Sequence, residues 1–402
     1  MSLMIQHGHG KSDKIDLCLT NDDADGVIFA ARNEMPDRLE SCLGSLTDEH
    51  GNKYFYLDPQ FYVTSCTPPN DRFLPEYPFY KAGLSSTAFA NPATVSKYAK
   101  LTLEYQQELP VDSLISPTIM FSSFDDAAYQ SALSLAYASL EAHTKIKDAK
   151  PLLLSFVFSE DALASQEQLD HFLDAVTQED WGMEGFYFIV EKREDGYNQR
   201  FNEEGLAHLL YATYVLSITN EFEVMFGYTD FVGILLRAVG ADSFASGWAQ
   251  SARRFHRRAF IKAKGGGQQP RPRYSSAPLF NSILIDELQA IDDAGHLDEV
   301  MSRADLDSVI TDASSPQAAT DWGLAVSQRQ HWQTLSLLDQ EIEDKPKAAV
   351  RNTLAKLRVA DGLYRALESE GVQFDRNSNK DHLKQWIKAL KRFQTLAGWV
   401  AG

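Results

Sequence analysis

The segment EFEVMFGYTDFVGILLRAVGADSFASGW, residues 221–248, carries the clearest fold signal in this chain. The apolar run at its start indicates a strand, and Thr229 or Asp230 can cap the helix that follows. Gly240 is suited to end that helix, and the apolar run Ala241–Ser246 comes directly after it. A strand, a helix and a second strand in such close succession predict a parallel β-α-β crossover.

Short, continuous apolar runs like these are typical of strands that are buried on both faces. Eight such runs occur, each followed by a helical pattern or by a loop long enough to hold a helix: Val27–Ala30, Tyr54–Asp58, Ser116–Phe121, Leu152–Phe158, Gly185–Val190, Phe222–Gly227, Ala241–Ser246 and Ala277–Phe280. We therefore predict an α/β fold, a (β/α)8 TIM-type barrel. An open doubly wound sheet is the alternative, but no Gly-x-Gly-x-x-Gly turn follows the first strand.

Beyond residue 282 the pattern changes to helices alone. Two apolar stripes with spacings of three and four residues mark them, one of Val350, Leu354, Leu357, Leu363 and Leu367 and the other of Leu383, Trp386, Ile387, Leu390 and Phe393. We predict a flexible N-terminus over residues 1–20, the barrel over 21–295, and a helical extension over 296–402 that packs on the barrel.

The charge is unevenly distributed along the chain. The net charge is −18, yet the segment from Lys345 onward holds seven Lys and five Arg against two Glu and three Asp, a net +7 that leaves −25 for the rest. An acidic body repels phosphate backbones, so a nucleic acid is a less favoured partner. The basic side chains Lys384, Lys388, Lys391 and Arg392 lie opposite the last apolar stripe. They suit a solvated face, a partner surface or a contact with anionic lipid.

Nothing in the sequence suggests a membrane or an export route. The longest apolar stretch, Leu206–Ile218, is broken by His208 and Thr213 and is shorter than the roughly 20 residues that a membrane span needs. The chain opens without the charged and apolar regions of a signal peptide, so we expect a cytoplasmic protein with no membrane contact. The three cysteines, Cys18, Cys42 and Cys66, suit reduced core thiols. Cofactors and oligomeric state stay open.

In a barrel, chemistry is expected where the strands end, because the loops there converge on one mouth. Asp58, Glu160 and Glu191 follow predicted strands and could serve as catalytic acids and bases or bind a hard metal. For each carboxylate the alternative is a helix cap or a salt bridge. Further side chains at strand ends are predicted to bind the ligand: Gln60, Tyr62, Arg193, Tyr228 and Trp248. Lys192 and Asp230 also follow strands.

The segment Pro59–Gly83 is long and rich in proline and aromatic residues. Loops of more than about 12 residues in a compact domain are usually functional or disordered, and the aromatic content argues against disorder. A lid over the mouth and a packing flap on the side of the barrel are the two interpretations.

Arginines cluster around the last two predicted strands. Arg253, Arg254, Arg257 and Arg258 follow the seventh, and Arg271 and Arg273 precede the eighth. Barrels often bind phosphate with the loops after strands seven and eight, and guanidinium groups suit that anion. The sequence thus predicts a phosphate-bearing small molecule as partner, with Arg253 and Arg254 binding it. Alternatively, these arginines pair with surface carboxylates.

Two metal-site patterns are incomplete, so no metal is predicted. Residues Asn21–Gly26 match the opening of a calcium loop, but its twelfth position is Arg32 instead of Glu. His7 and His9 could ligate a metal, but in a flexible terminus we expect them to be solvated.

The stretch from Met225 to Ser246, followed by Arg253 and Arg254, resembles the strand-helix-strand of tRNA-guanine transglycosylases, with its glycine, acidic helix start and Gly-x-Asp-x-Phe turn. Residues 57–61, LDPQF, are similar to that family's Asp-Ser-Gly-Gly-Phe. The chain departs from the pattern at Ala245, where the family has its nucleophilic Asp, and it lacks the zinc cysteines. The resemblance implies a base-contacting or acid–base role for Asp58 alone.

Three functional hypotheses follow. The first is a barrel enzyme or ligand-binding protein that acts on a phosphate-bearing small molecule at the mouth. The second is a nucleic-acid base-modifying protein, which would need one continuous basic stripe. The third is a non-catalytic interaction protein that uses its C-terminal helices.

Overall fold

A computed structural model describes residues 2–10, 12–177, 182–193, 199–262 and 270–399. These residues form a (β/α)8 barrel with a helical C-terminal extension. The barrel strands are β1 (Leu3–Gln6), β2 (Gly26–Ala30), β3 (Tyr54–Asp58), β4 (Leu114–Ile115), β5 (Met120–Phe121), β6 (Leu152–Ser159), β7 (Gly185–Glu191), β8 (Glu223–Gly227) and β9 (Ser243–Ser246). They pair in parallel in the order β3-β2-β1-β9-β8-β7-β6-β4, and β5 also pairs with β6. Since β4 and β5 share one position, the ring has eight positions.

The ring is nearly closed, and Asp112 bridges the contact between β3 and β4. Its backbone N–H donates to the carbonyl oxygen of Phe55 at 2.8 Å, and its carboxylate accepts from the N–H of Phe55 at 2.6 Å. One side chain thereby supplies a hydrogen bond that a strand ladder would otherwise make.

Helices surround the strands. Following β1, β2, β3, β5, β6, β7 and β8 in turn, they are α1 (Ser12–Thr20), α2 (Pro36–Glu49), α3 (Pro92–Gln107), α4 (Ala127–His143), α5 (Gln166–Thr177), α6 (Glu203–Tyr214) and α7 (Val232–Ala238). None of the helices in the described ranges has the length and apolar character needed to cross a membrane.

In the described part of the chain, a hairpin and six further α-helices follow β9. Strands β10 (Arg273–Ser276) and β11 (Asn281–Leu284) pair antiparallel. The helices are α8 (Ile285–Asp293), α9 (Leu297–Val300), α10 (Ser308–Thr311), α11 (Leu324–Gln340), α12 (Pro346–Ser369) and α13 (Asp381–Leu396).

Helix α11 completes the outer layer of the barrel. It packs against α7, α1 and β1, beside strand β9, which α7 also contacts. The Trp332 side chain is fully buried, and its indole N–H donates to the carbonyl oxygen of Ser246 at 2.9 Å. Arg237 of α7 pairs with Asp339 of α11, with 2.8 Å between Nε and Oδ1. The extension therefore supplies the eighth helix of the barrel.

The last helix docks on α6 through the predicted apolar stripe. Leu383, Trp386, Leu390 and Phe393 are buried, whereas Ile387 is half-buried. Part of the basic face of α13 pairs with acidic residues of α6, namely Lys388 with Glu203 and Arg392 with Glu204. The basic extension thus meets the acidic barrel within one chain.

Two strand predictions were wrong. Residues Leu3–Gln6, predicted as part of a flexible N-terminus, form the buried strand β1 between β2 and β9. The run Ala277–Phe280, predicted as the eighth barrel strand, lies between β10 and β11, with Phe280 at φ 50°. A short apolar run does not reveal its partners, and only long-range pairing makes Leu3–Gln6 a strand. Because Leu3–Gln6 is the first strand of the ring, each predicted strand from Val27–Ala30 to Ala241–Ser246 comes one position later in the ring than predicted.

The other predicted elements are confirmed with small changes. The crossover is present as β8, α7 and β9, and Gly240 ends its helix at φ 119°. Of the predicted strand Ser116–Phe121, the last two residues form β5, and β4 (Leu114–Ile115) lies just before the predicted range.

Candidate functional site

A tight turn directly after β9 positions Arg253. The N–H of Gly247 donates to the carbonyl oxygen of Ala252 at 3.1 Å. A side chain at position 247 would lie 2.3 Å from the Cβ of Ala252, so this close approach requires glycine. Arg253 is 6% exposed, and its guanidinium donates to the carbonyl oxygens of Gly247 at 2.9 Å and Trp248 at 3.3 Å. The turn thus returns the arginine to the end of the barrel.

Arg253 lies in a pocket at the C-terminal mouth, which we call the cationic pocket. Loops after β7, β8 and β9 form one wall, and the hairpin of β10 and β11 forms the other. About 10 Å³ between the lining atoms admits the centre of a water-sized sphere, and the free space counted together with the solvent at the opening is about 380 Å³. The lining side chains belong to Lys192, Gln199, Asp230, Gln250, Arg253, Arg254, Arg273, Asn281 and Ser282.

Of the described side chains that line the cationic pocket, four are basic and one is acidic. Among the described residues, neither Lys192 nor Arg253 has a carboxylate within ion-pair distance, although both are 6% exposed. Arg273 faces Asp375 at 3.5 Å and donates to the carbonyl oxygen of Ser282. Asp230 is the acidic residue among the described lining side chains, so positive charge is in excess among them.

Burial disfavours the charged forms of these groups. It lowers the pKa of Lys192 to about 8, with further lowering by Arg254, while Asp230 and Glu160 act in the opposite direction. Burial also lowers the pKa of Arg253 to about 10. It raises the pKa of Asp230 despite the nearby Arg253 and Lys192. Perturbed ionisable groups of this kind concentrate at functional sites.

A buried polar chain joins the two walls of the cationic pocket. His331 Nε2 lies 3.4 Å from Asp230 Oδ1, and its Nδ1 lies 2.9 Å from the hydroxyl of Ser275. That hydroxyl lies 2.9 Å from the hydroxyl of Ser282, which lines the pocket. Burial lowers the pKa of His331 well below its usual range, so the ring is neutral. Gln199 donates to Asp230 at 2.7 Å, and the hydrogen-bond partner of His331 Nε2 is the hydroxyl of Ser246 at 3.2 Å.

Four of the predicted site residues meet in a second, closed group at the end of β3, the tyrosine cluster of Asp58, Gln60, Tyr62, Tyr187 and Tyr228. Asp58 is 1% exposed and accepts from the N–H of Gln60 at 2.9 Å and from the hydroxyl of Tyr62 at 3.0 Å. The amide of Gln60 donates to the hydroxyl of Tyr228 at 2.7 Å. Burial raises the pKa of Asp58 to about 7.

Aromatic rings cover the tyrosine cluster. Phe255 packs edge-on against Tyr62 and Tyr228, and Phe260 packs edge-on against Tyr62. The segment 59–83 holds the chain around Phe260 in place, since the N–H of Asn70 donates to the Phe260 carbonyl oxygen at 2.8 Å. In this structure the segment 59–83 packs against the chain around Phe260 and helps to cover the tyrosine cluster.

Two predicted residues are held in ion pairs. The carboxylate of Glu191 accepts from the backbone N–H and from Nε of Arg257, both at 2.7 Å, and so ties the end of β7 to the chain after β9. Arg193 pairs with Asp161 at the surface, with 2.7 Å between Nε and Oδ1. The contact of Glu191 with Arg257 is the salt bridge that the sequence left open as the alternative for this carboxylate.

Glu160 and Trp248 border the cationic pocket without lining it. Glu160 is 6% exposed, and burial raises its pKa, while Lys192 is one of the groups that oppose the rise. Within the described ranges its Oε2 has no hydrogen-bond partner. Trp248 packs edge-on against His7 and Trp332 and supplies a carbonyl oxygen to Arg253.

The structure does not gather the three predicted carboxylates. Asp58 lies in the tyrosine cluster, Glu191 is paired with Arg257, and Glu160 lies near Lys192. In the described part of the chain, one group of three ligand side chains has its atoms within 4.8 Å of one another, and it comprises Asp16, Glu49 and His50. Asp16 lies on α1, and Glu49 and His50 lie at the C-terminal end of α2, where Glu49 is exposed. This cluster is separate from the mouth.

Both sequence patterns that suggested metals have other contacts. In the calcium-like loop, the ammonium group of Lys53 lies 2.7 Å from Asp22 and 2.9 Å from the carbonyl oxygen of Ala24, where it supplies a positive charge. The expectation of a solvated His7 was wrong, because it follows β1, is 1% exposed and lies 3.5 Å from Glu34.

Several residues of the cationic pocket were not among the predicted site residues. Lys192 and Asp230 follow strands, so the strand-end rule could have selected them. Gln199, Gln250, Asn281 and Ser282 carry no such signal, and His331 comes from α11, which the sequence assigned to the extension. Their contribution depends on where the hairpin and α11 pack.

Comparison of the chain with protein-family models and with characterised proteins found no match to either. The protein is therefore defined by its fold and its site, a (β/α)8 barrel with a buried, positively charged pocket at the C-terminal mouth.

Proposed function

We propose that the cationic pocket binds the phosphate group of a small molecule. The observation that carries this proposal is the pair Lys192 and Arg253, two buried cations that have no carboxylate in ion-pair distance among the described residues. Burying a charge without a counter-charge costs free energy, and an anionic ligand would offset that cost.

The position and composition of the pocket favour phosphate. Its arginines follow β9, the eighth strand of the ring, and Asp230 follows β8, the seventh, which are the positions where barrels most often bind phosphate. Guanidinium groups match the oxygens of a phosphate with paired N–H donors. The neutral side chains of Gln250, Asn281 and Ser282 offer further hydrogen bonds. Asp230 could accept one from a hydroxyl group of the ligand.

The rest of the molecule favours a small ligand over a nucleic acid. The chain carries a net −18, and two of the basic residues of α13 already pair with Glu203 and Glu204. The pocket is also narrow and walled on two sides by the barrel loops and the hairpin. A long polyanion would meet repulsion outside the pocket, whereas a single phosphate group meets four basic side chains inside it.

Calorimetric titration tests the proposal, with inorganic phosphate, pyrophosphate and glycerol 3-phosphate as probes and glycerol as the neutral control. We expect the three anions, but not glycerol, to bind the wild-type protein. Lys192→Met and Arg253→Gln should each weaken binding by at least about tenfold, or roughly 1.4 kcal/mol. Arg193→Gln removes the same charge from an arginine paired with Asp161 at the surface, and it should leave the affinity within about twofold.

Arg253 also holds the turn after β9, so Arg253→Gln could weaken binding by changing the shape of the pocket. Lys192 makes no hydrogen bond to a described residue, so Lys192→Met tests the loss of charge without that structural effect. The proposal is wrong if no anion binds the wild-type protein, or if Arg193→Gln weakens binding as much as the pocket variants do.

A further inference from the structure

Lys192 has a chemical environment that binding a phosphate group does not require. We infer that its amine forms an imine with the carbonyl group of an aldehyde or ketone whose anionic group is held by the arginines of the cationic pocket. This inference rests on the proposed function, because the arginines must first hold the anion. It adds a reaction and a substrate class to that site.

The geometry isolates the amine. Lys192 is 6% exposed and lines the pocket, and within the described ranges no hydrogen-bond acceptor or carboxylate contacts its Nζ. The ring of Phe201 lies 5.8 Å from Nζ. A lysine that served only as a fixed charge would be expected to contact an acceptor. An amine next to an apolar ring and an open pocket is instead placed to react with a bound ligand.

Burial, together with the neighbouring Arg254, favours the neutral, nucleophilic form of the amine. Burial and then Arg254 lower the pKa of Lys192 to about 8, against the opposing effect of Asp230 and Glu160. On the side of α13, burial lowers the pKa of His382 to about 3, so this ring is neutral. At pH 7.5 roughly a quarter of the lysine is neutral, compared with about 0.1% for an ordinary lysine. Desolvation and a neighbouring cation are the usual means of activating an amine.

The reaction balances without an oxidant, a reductant or a cofactor. The nitrogen lone pair attacks the carbonyl carbon, a C–N bond forms, and the carbonyl π electrons move to oxygen, which takes up one of the two protons of the nitrogen to give a carbinolamine. A proton from a carboxyl group then lets this hydroxyl leave as water, the nitrogen lone pair forms the C=N bond, and the remaining proton of the nitrogen returns to the carboxylate. Asp230 is the proposed proton donor, because it lines the pocket and burial raises its pKa.

The pocket defines the substrate class as a short carbonyl compound with an anionic end. Arg253, Arg254 and Arg273 would hold a phosphate or a carboxylate with the same donors. Dihydroxyacetone phosphate and pyruvate represent these two sources of negative charge, and both place a carbonyl group close to the anionic group.

Reductive trapping tests the inference on the full chain. The protein is incubated with each probe and sodium cyanoborohydride, its intact mass is measured, and the modified residue is mapped by peptide mass spectrometry. We expect one adduct per chain, located on Lys192, with at least one of the two probes. Trapping should increase between pH 7 and pH 9 with a midpoint near 8, whereas a surface lysine would require a pH near 10.

Two variants serve as controls. Lys192→Arg keeps the positive charge but cannot form the imine, so it should lose the adduct. Lys150→Arg should keep it, because Lys150 is a half-buried lysine whose pKa is also lowered by burial but which lies outside the pocket. Mapping on the wild-type protein alone still decides the question if a variant fails to fold.

The outcomes separate this inference from the proposed function. Phosphate binding without any adduct, or with adducts spread over surface lysines, overturns the imine and leaves the proposed function standing. An adduct on Lys192 with pyruvate but no phosphate binding supports the imine and assigns the pocket to carboxylates. If neither anion binding nor an adduct on Lys192 is observed, both the proposed function and the imine inference are wrong.

Discussion

At the scale of single residues, Asp58 and Lys192 are ionisable groups that burial shifts toward their neutral forms. Asp58 is enclosed by hydroxyl and amide donors beneath aromatic rings, whereas Lys192 lines the cationic pocket. The same desolvation therefore has different consequences. For Asp58 it links stability to pH, and for Lys192 it leaves a basic group available to a ligand.

Replacing Asp58 by Asn should flatten the dependence of stability on pH. The pKa of Asp58 is raised to about 7 in the folded protein, so its stabilising effect is fully present below about pH 4 and is lost as the pH rises through 7. Wild type should lose up to about 4 kcal/mol in this window through Asp58, and Asp58→Asn should not. Urea unfolding at several pH values measures the difference between the two proteins.

Asp48→Asn, which changes an exposed carboxyl group on α2, is the control for that experiment. It should follow the wild-type pH dependence. Parallel pH curves for wild type and Asp58→Asn would show that Asp58 does not titrate in this range.

Replacing Lys192 by Met should stabilise the protein at pH 7 in the absence of added anions, while weakening anion binding as described above. The folded-state pKa of about 8 lies below the ordinary lysine value, so the charged lysine costs up to about 3 kcal/mol below pH 8. As the pH rises from 8 to above 10, the lysine becomes neutral in both the folded and the unfolded protein, and the wild type regains this stability. The stability advantage of Lys192→Met should therefore disappear above pH 10. Urea unfolding of both proteins at pH 7 and pH 10 measures this difference in stability. A Lys192→Met protein that is less stable than the wild type at pH 7 would contradict a buried, charged Lys192.

At the scale of elements, α11 is the helix whose role differs most from the sequence-based expectation. It was predicted as part of an appended helical layer, yet it covers β1 and contacts α1 and α7 as the eighth helix of a barrel would. Its periodic apolar residues indicate a buried face. They do not indicate which strand that face covers, because this depends on a connection of almost eighty residues between β9 and α11.

Truncation of Trp332 tests this role of α11. The side chain is fully buried and bonded to the end of β9, so Trp332→Ala should lower the free energy of unfolding by about 3–5 kcal/mol. Val359→Ala changes a residue on α12 that is 69% exposed, and it should cost less than about 0.5 kcal/mol. A loss below about 1 kcal/mol for Trp332→Ala would mean that α11 is not part of the barrel core.

At the scale of the whole molecule, barrel and extension share one core and one pocket. Arg273, Asn281 and Ser282 of the hairpin complete the cationic pocket, and α12 and α13 cover α7 and α6. Apolar faces that are covered in this way would be exposed if the extension were removed.

We therefore expect the full chain to unfold in a single transition, with tryptophan fluorescence and far-UV circular dichroism giving the same midpoint. A fragment of residues 1–295 should lack the near-UV signal of fixed aromatic packing and should aggregate. A chain ending at Trp399 serves as the control and should behave like the full protein. Two separate transitions, or a fragment that folds normally, would show that the barrel is independent of its extension.

The amino-acid sequence by itself determined the local elements: the β8-α7-β9 crossover, most of the buried strands, the apolar stripes of α12 and α13, and the concentration of arginines after β9. Each of these depends on spacing along a short stretch of chain. The tertiary structure alone decided that residues 3–6 close the ring, that α11 is its eighth helix, and that Asp58, Glu160 and Glu191 lie apart while Lys192, Asp230 and Arg253 meet. Strand pairing and convergence at a mouth are contacts between distant residues, and local periodicity carries no information about such contacts.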